Sequence, residues 1–412
     1  MNFLSTLLLS TLITISLIPI CRLLAIRMNI VDMPDERKVH TEPIPRIGGV
    51  AMAIGAFVPV LFQTHGDPFM KSLFLASAVI VVFGLLDDVK GLNFKQKLVA
   101  QAVAALIVIL YGNVKITSLG TLLPHDMLLP AYLSIPLTLI VMVGVINAIN
   151  LSDGLDGLAG GICLLTFSCI GYIGYESKDM VIGILAFGMV GSILGFLRFN
   201  TYPATLFMGD AGSQFLGLIA VTLSIKLTQG NTPLSRILPL ILLGFPILDT
   251  LSVMMERIVH GRSPFLPDKD HFHHKLIHLG LYHTESVIAI YILQGILVVW
   301  AYIFRFYPEG TLLLGYMIFS GVILAIFHAA EKAGWQFKRI SLIDMAIKGR
   351  LRFLKENNLL IVFGFRLLQI ALPALMFASC FLASDLPAYL PFYTLAAAVI
   401  LARRSGPNTG AS

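Results

Sequence analysis

The chain has 412 residues, of which 57% are hydrophobic and only 13% are charged, and its formal net charge is +6. A soluble domain carries roughly 25% charged residues, so this composition excludes an ordinary soluble protein. Its apolar runs are roughly as long as a helix that crosses a bilayer core of about 30 Å, whereas barrel strands would be shorter and alternate in polarity. The sequence therefore predicts an all-α, polytopic transmembrane helical bundle.

Eleven core spans are predicted in chain order, near 3–20, 47–63, 69–86, 98–111, 131–149, 158–175, 180–197, 213–228, 236–254, 285–303 and 311–328. Two weaker apolar stretches near 359–382 and 386–402 predict a C-terminal helical pair. We therefore divide the chain into a transmembrane domain at 1–330 and a segment at 331–412. The second segment begins with a basic cytoplasmic stretch and ends in membrane-associated helices.

The positive charge lies mostly in every second connection between spans. The cations of this set are Arg37, Lys38, Arg46, Lys90, Lys95, Lys97, Arg257, Arg262, Lys269, Lys275, Lys332, Lys338, Arg339, Lys348, Arg350, Arg352 and Lys355. The positive-inside rule places these connections in the cytoplasm and the N-terminus outside. The net charge is thus a membrane-topology signal, and no nucleic-acid partner is expected.

Five polar motifs from distant parts of the chain fall on this predicted cytoplasmic face. They are DERKVHTEPIPRIGG, GLLDDVKGL, NAINLSDGLDGLAGG, TLFMGDAGSQFLG and PDKDHFHHKLIH. A carrier needs groups that are accessible from both sides. An enzyme that acts on a cytoplasmic substrate needs one face, so the distribution favours an enzyme. A transporter of nucleotide sugars or lipid phosphates is the rival from another class, and a structural subunit is a third reading.

Carboxylates are the first chemical signal on this face. Asp87 and Asp88 are adjacent at the inner end of a span, where burial and mutual repulsion both cost free energy. A cation would relieve both costs, and Mg²⁺ prefers such oxygen ligands together with substrate phosphates. Asp153, Asp156 and Asp210 share the same depth and side. The alternative is that Asp87 and Asp88 only cap their span at the membrane surface.

Glycines surround one of these carboxylates. Gly209 and Gly212 flank Asp210 immediately before a predicted helix. Glycine permits close backbone approach, and a helix N-terminus offers free N–H groups to an anion. The pattern predicts a metal ligand beside a phosphate site, with a plain glycine-lined turn as the alternative.

Histidines form the second chemical signal, because PDKDHFHHKLIH carries four of them. His271, His273 and His274 lie near Arg262, which favours contacts to phosphates. A zinc site is a rival reading, although no cysteine is near and the HExxH pattern is absent. An ordinary surface loop is the third. Asp249 lies inside a predicted span, and the sequence does not decide between a functional and a packing role for it.

Together these motifs resemble the polyprenyl-phosphate N-acetylhexosamine-1-phosphate transferases, the superfamily that also contains phospho-MurNAc-pentapeptide translocase. The resemblance covers about residues 30–330 and is carried, in order, by HTEPIPRIGG, GLLDDVKGL, NAINLSDGLDGLAGG, FMGDAGSQFLG, FPILDT and GRSPFLPDKDHFHHKLIHLG. It implies transfer of a sugar 1-phosphate from a UDP-N-acetylhexosamine to undecaprenyl phosphate, with release of UMP. The segment PDKDHFHHKL is similar to the branch that uses UDP-GlcNAc, and Phe272 is a departure from it.

The resemblance also implies roles for individual residues. It implies a Mg²⁺ site, or alternatively a Mn²⁺ site, with Asn150 and Asp210 as ligands. Asp87 and Asp88 correspond to a catalytic pair near the metal and the lipid phosphate. Lys97 or Lys95 is implied to contact the lipid phosphate. The residues implied to contact the nucleotide sugar are Asp153, Asp156, Arg262, His271, His273 and His274. The implied place is the bacterial inner membrane, and a homodimer is expected by analogy alone.

The segment NAINLSDGLDGLAGG has a geometry of its own. Asn147, Asn150, Asp153 and Asp156 recur every three residues, and on a continuous helix each step drifts by about 60°. A straight helix cannot aim all four at one site. We therefore predict that the span ends near Asn150, that a turn follows, and that the next helix begins around Leu158.

Overall fold

The computed structural model describes residues 3–33, 43–61, 67–124, 127–263 and 271–336. The chain forms two compact units, Met1–Gln336 and Phe337–Ser412. The second unit, with the spans predicted near 359–382 and 386–402, lies outside the described residues. The different roles assigned to 1–330 and 331–412 therefore stay a prediction.

The described part is almost entirely helical. Its helices are α1 Phe3–Arg27, α2 Gly48–Leu61, α3 Pro68–Lys90, α4 Phe94–Leu106, α5 Ala131–Leu151, α6 Leu158–Glu176, α7 Met180–Asn200, α8 Gly209–Thr228, α9 Leu238–Leu242, α10 Gly244–Val259, α11 Phe272–His278, α12 His283–Ile303 and α13 Glu309–Lys332. A π-helical turn, Ile107–Tyr111, continues α4. Two short strands, β1 Val31–Asp32 and β2 Ile44–Pro45, pair antiparallel.

Nine helices of the described residues are long and apolar enough to cross a membrane. They are α1, α3, α4 with its π-helical turn, α5, α6, α7, α8, α12 and α13. The prediction of an all-α polytopic membrane bundle is confirmed. Two predicted spans differ in form. The second is the shorter helix α2, and the ninth is divided into α9 and α10 at Leu243.

Helix α8 is the centre of the bundle, and nearly every one of its residues is buried. Small residues let its neighbours approach closely, as in other membrane helix pairs. A Cβ on Gly84 of α3 would collide with the backbone of Ala211, and a Cβ on Gly217 would lie 2.8 Å from Ile146 Cα of α5. These contacts bring the ends of α3 and α5 beside the N-terminus of α8.

The break between α9 and α10 is stabilised by the side chain of Gln294 on α12. Gln294 Nε2 donates to the Leu242 carbonyl at 2.8 Å, and Gln294 Oε1 accepts from the Phe245 N–H at 3.3 Å. Tyr316 donates to the Gly244 carbonyl at 2.8 Å. Irregular backbone at membrane depth persists only where protein or water satisfies its polar groups, so these side chains permit the break.

We expect Gln294→Leu to destabilise the protein. Leucine fills a similar volume but leaves the Phe245 N–H without its acceptor, and such a loss costs about 1–3 kcal/mol. The measurement is the midpoint of thermal unfolding in lipid nanodiscs. Ile296→Leu on the exposed face of the same helix is the matched control. A Gln294→Leu variant that unfolds at the wild-type midpoint would contradict this account of the break.

Candidate active site

The adjacent carboxylates at the end of α3 point to different neighbours. Asp87 Oδ1 accepts from the Leu92 N–H at 2.7 Å. Asp88 instead accepts from two N–H groups at the start of α8, those of Asp210 at 3.1 Å and Ala211 at 3.4 Å. Asp88 is thus bound to the N-terminus of α8, where the helix dipole favours a negative charge.

Lys97 of α4 joins the two groups of carboxylates. Its Nζ forms an ion pair with Asp87 and donates to Asp210 Oδ2 at 2.9 Å. The resemblance implied a contact between Lys97 or Lys95 and the lipid phosphate, which stays a prediction, and in the structure Lys97 lies between two protein carboxylates. The ammonium offsets part of the repulsion between Asp87 and Asp210, which lets both lie at the same end of the bundle.

The end of α5 supplies an amide to the same place. Asn150 Oδ1 accepts from Ser213 Oγ of α8 at 2.5 Å. Gly209 has a φ of +70°, and a Cβ there would collide with the carboxylate of Asp88. The glycine predicted to allow close approach therefore does so, because it admits Asp88 to the start of α8.

A cluster of three amides, two of them buried and that of Asn147 half-buried, lies one helical turn deeper. Gln101 Nε2 donates to Gln214 Oε1 at 3.1 Å, and Asn147 Nδ2 donates to Gln101 Oε1 at 2.7 Å. The three residues belong to α4, α8 and α5, which also carry Lys97 and Asn150. The cluster fixes the relative heights of these helices, because a shift of any one would leave buried amide groups unpaired.

The turn between α5 and α6 has the form predicted from NAINLSDGLDGLAGG. Helix α5 ends at Leu151, α6 begins at Leu158, and Gly157 between them has a φ of +81°. Asp156 Oδ2 accepts from the Ala204 N–H at 2.9 Å, and the Asp156 N–H donates to His283 Nε2 at 3.2 Å. The bend thus binds both the loop before α8 and the start of α12.

The histidine segment forms the short helix α11, and Asp249 orients it. His271 Nδ1 donates to Asp249 Oδ2 at 3.1 Å, and the Phe272 N–H donates to Asp249 Oδ1 at 2.8 Å. Asp249 is therefore a positioning residue for this segment. Burial, followed by the neighbouring imidazole of His274, lowers the pKa of His273 to about 4. His273 is therefore neutral near pH 7 and adds no cation to the site.

A cavity of about 560 Å³ opens where these elements meet. The predicted site residues that line it are Asp88, Asn150, Asp153, Asp156, Asp210 and His274. Asp87 and Lys97 do not line it. Lys97 adjoins the cavity through its ion pair with Asp210, and Asp87 is paired with Lys97. His273 lies behind it, where a Cβ on Gly154 would collide with its ring. Most of the predicted set is therefore brought together.

Arg262 lies apart from the acidic cavity, and its predicted contact with the nucleotide sugar stays a prediction. It follows the end of α10 and lines a separate cavity of about 470 Å³ together with Glu256, Lys275 and Trp335. His271 does not line the acidic cavity either and is instead buried against Asp249. Arg262 and His271 are close to His274 in sequence. That closeness does not indicate whether their side chains face the acidic cavity.

Sequence reasoning missed several residues of the cavity wall. These are Asp32, Arg46, Asn200, Tyr202 and His283. Arg46 was counted among the basic residues of its face, and its place within HTEPIPRIGG was a usable signal. Asn200 and Tyr202 precede FMGDAGSQFLG, and His283 follows GRSPFLPDKDHFHHKLIHLG by three residues, so all three lie just outside the motifs. The ring of Tyr202 stacks on that of His283 with centroids 4.6 Å apart.

The cavity has a strongly negative field. Burial and then the charges of Asp210, Asp88 and Asp156 raise the pKa of Asp153 to about 7. Carboxylates at such density favour protonation or a bound cation. Oxygen donors without nearby thiols suit Mg²⁺ or Mn²⁺.

The residues present fit a magnesium ion that is completed by substrate. Asn150, Asp153 and Asp210 offer oxygen donors on one wall. No group of three or more His, Cys, Asp or Glu side chains in the described part of the chain is placed to hold a metal ion unaided. Mg²⁺ commonly binds through one or two carboxylates plus waters and substrate phosphates, and its binding here stays a prediction.

Comparison with known proteins identifies the family. Residues 70–228 match the model of glycosyl transferase family 4. The chain is 35% identical over 327 residues to the "Probable undecaprenyl-phosphate N-acetylglucosaminyl 1-phosphate transferase" of Bacillus subtilis (strain 168), covering 79% of this chain and 90% of the relative. The chain belongs to glycosyl transferase family 4. The resemblance inferred from its motifs is confirmed.

Two other relatives carry similar names. The "Undecaprenyl-phosphate alpha-N-acetylglucosaminyl 1-phosphate transferase" of Yersinia pestis is 29% identical over 349 residues, covering 82% of this chain and 93% of the relative. The "Decaprenyl-phosphate N-acetylglucosaminephosphotransferase" of Mycolicibacterium smegmatis is 33% identical, covering 74% and 83%. The segment matched by the family model holds Asp88, Asn150, Asp156 and Asp210, whereas the histidine helix lies beyond it.

Proposed function

We propose that this chain transfers N-acetylglucosamine 1-phosphate from UDP-GlcNAc to undecaprenyl phosphate and releases UMP. The product is the polyprenyl diphosphate sugar that starts a cell-envelope polysaccharide. The names of the relatives support the transfer and the polyprenyl acceptor. The observation that carries the proposal is the meeting of Asp88, Asn150, Asp156 and Asp210 on one cavity at one end of an apolar bundle.

In the proposed step an oxygen of the lipid phosphate bonds to the phosphorus that carries the sugar. The bond from that phosphorus to the UMP oxygen breaks, and its electron pair leaves on UMP. A phosphate monoester with a second pKa of about 6 is already largely ionised at neutral pH, so no base is required. Such transfers depend mainly on positioning and charge neutralisation. We therefore assign to Asp87 the positioning of Lys97, and to Asp88 the positioning of the α8 N-terminus.

We propose that Mg²⁺, or Mn²⁺ in its place, is held by Asn150 and Asp210 with Asp153 beside them. When bound, the cation neutralises charge on the reacting phosphates. The protein orients these groups beforehand. Lys97 holds Asp210 Oδ2, and Ser213 donates to Asn150 Oδ1. His274 on the cavity wall supplies a further hydrogen-bonding group for the donor.

The opposite end of the bundle supports an enzyme over a transporter. There the side chain of Gln229 accepts from the N–H groups of Thr117 and Ser118, at 3.0 and 3.1 Å. Glu309 accepts from the N–H and hydroxyl of Thr121, at 3.0 and 2.6 Å. These polar groups are bound to loops. We further propose that the acidic cavity faces the cytoplasm of a bacterial inner membrane, with the N-terminus outside.

The test is a direct assay with purified full-length protein in nanodiscs. Radiolabelled UDP-GlcNAc, undecaprenyl phosphate and Mg²⁺ are mixed, and labelled lipid and UMP are both measured. We expect equal amounts of the two products, and loss of both when EDTA replaces Mg²⁺. Parallel reactions with UDP-GalNAc, UDP-FucNAc and UDP-MurNAc-pentapeptide identify the preferred sugar. The absence of both products with every donor would refute the proposal.

A further inference from the structure

Arg46 stands out in the acidic cavity because of its charge. The described lining includes the five carboxylates of Asp32, Asp88, Asp153, Asp156 and Asp210. Within that described lining, Arg46 is the only lysine or arginine. A cavity that receives phosphate groups needs positive charge to offset both its own carboxylates and the ligand.

Backbone hydrogen bonds fix the position of Arg46 relative to the α8 N-terminus. On one side the Arg46 N–H donates to the Ile30 carbonyl at 3.1 Å. On the other side the Phe207 N–H donates to the Pro45 carbonyl at 2.9 Å, and the Gly48 N–H donates to the Phe207 carbonyl at 3.0 Å. Phe207 lies three residues before Asp210, so the segment that carries Arg46 is held at a fixed height beside the site.

The side chain of Arg46 is oriented by a buried acid. Asp32 is only 7% exposed and forms an ion pair with the Arg46 guanidinium. The Arg46 side chain itself is 40% exposed, and it lines the cavity. A guanidinium carries five N–H donors in a planar fork, so one ion pair leaves donors for a ligand.

We propose that Arg46, oriented by Asp32, binds the phosphate oxygens of a substrate in this cavity. The inference rests on the proposed function in one respect, that the substrates are phosphate esters. A nucleoside diphosphate and a lipid monophosphate present the same oxygen chemistry to a guanidinium. The experiment therefore has one arm for each source.

The test uses Arg46→Gln/Asp32→Asn in the full-length protein. The double variant removes both charges at nearly constant volume, so it avoids leaving Asp32 buried without its cation. In the donor arm, the Kd for UDP is measured by calorimetry with Mg²⁺ present, together with the KM for UDP-GlcNAc. In the acceptor arm, the KM for undecaprenyl phosphate is measured. We expect the Kd or KM to rise by about tenfold or more in one arm, because a charge-assisted hydrogen bond to the substrate is lost. We expect kcat to change by less than about threefold.

Two further variants complete the design. Arg46→Lys keeps the charge but loses the fork, so we expect a smaller rise in the same arm. Arg198→Gln is the control. It removes an exposed cation near the C-terminal end of α7 that does not line the cavity. It should change the Kd and KM values of neither arm by more than about twofold.

Each outcome has a defined meaning. A rise confined to the donor arm assigns Arg46 to the nucleotide phosphates, and a rise confined to the acceptor arm assigns it to the lipid phosphate. No rise in either arm overturns the inference. An equal loss in both arms without partial recovery in Arg46→Lys also overturns it, because that pattern marks a general distortion. UDP binding needs no turnover, so the inference can hold even if the wild-type protein fails the transfer assay.

Discussion

Replacing Asp210 by asparagine is expected to lower kcat by about 10²- to 10³-fold, the cost typical of losing one preorganised electrostatic group. The change removes the carboxylate that accepts a hydrogen bond from Lys97 Nζ at 2.9 Å. We propose the same carboxylate as a metal ligand. An amide oxygen is a weaker ligand for a hard cation than a carboxylate. Because the lost charge also holds Lys97 in place, which added metal cannot replace, excess Mg²⁺ is expected not to restore turnover. The measurement is the release of UMP together with the formation of labelled lipid.

Asp179→Asn provides the matched control for Asp210→Asn. Asp179 precedes α7 at the end of the bundle opposite the acidic cavity, where its carboxylate accepts from the Ile182 N–H at 3.0 Å. Asparagine caps helices about as well as aspartate, so activity should stay within about twofold of the wild type. Near-normal turnover in Asp210→Asn would remove Asp210 from the site.

The second large effect is expected at Asp153, where activity and stability should change in opposite directions. Burial and the surrounding carboxylates raise the pKa of Asp153 to about 7, from an ordinary value of 3.8. A carboxyl with a raised folded-state pKa contributes stability that is full below the unfolded value and is lost as the pH rises through the folded value. Without Mg²⁺, the wild-type protein should therefore become less stable as the pH rises from about 4 to about 7.

Asp153→Asn should reduce this pH dependence and raise the unfolding midpoint at neutral pH in Mg²⁺-free buffer. It should also lower turnover by about 10²-fold or more, because the ionised carboxylate is proposed to serve the cation and the donor. The midpoint is followed by helical circular dichroism across the pH range, with and without Mg²⁺. Asp179→Asn makes the same chemical change at the opposite end and should keep the wild-type pH slope. Equal slopes in Asp153→Asn and the wild type would contradict the account.

The polarity of the chain was sufficient to predict the bundle and the location of its site. Long apolar runs can be stable in lipid only as helices, because each helix satisfies its own backbone. Charged residues at span ends are costly, so their collection at the ends of α3, α5 and α8 indicated a site. The turn after Asn150 was predictable from spacing, since a straight helix could not aim Asn147, Asn150, Asp153 and Asp156 at one place.

Partner choice within the site was not predictable. Asp87 and Asp88 are identical neighbours in sequence, yet one binds Lys97 and the other binds the start of α8. The direction of each side chain depends on where α4 and α8 pack against α3. Asp249 shows the same limit, because only the position of α11 reveals that this buried carboxylate holds His271.

The sequence by itself thus determined an all-α membrane protein, the family, and the carboxylates and amide at one end of its spans. The helical class and the position of these polar groups follow from composition and local spacing, which act along the chain, and the family follows from the resemblance of its ordered motifs. The tertiary structure decided that Arg46 and His283 line the cavity, that Arg262 lines another, and that the ninth span is broken beside Gln294. These facts arise from contacts between segments far apart in sequence, and no local pattern encodes which segments will meet.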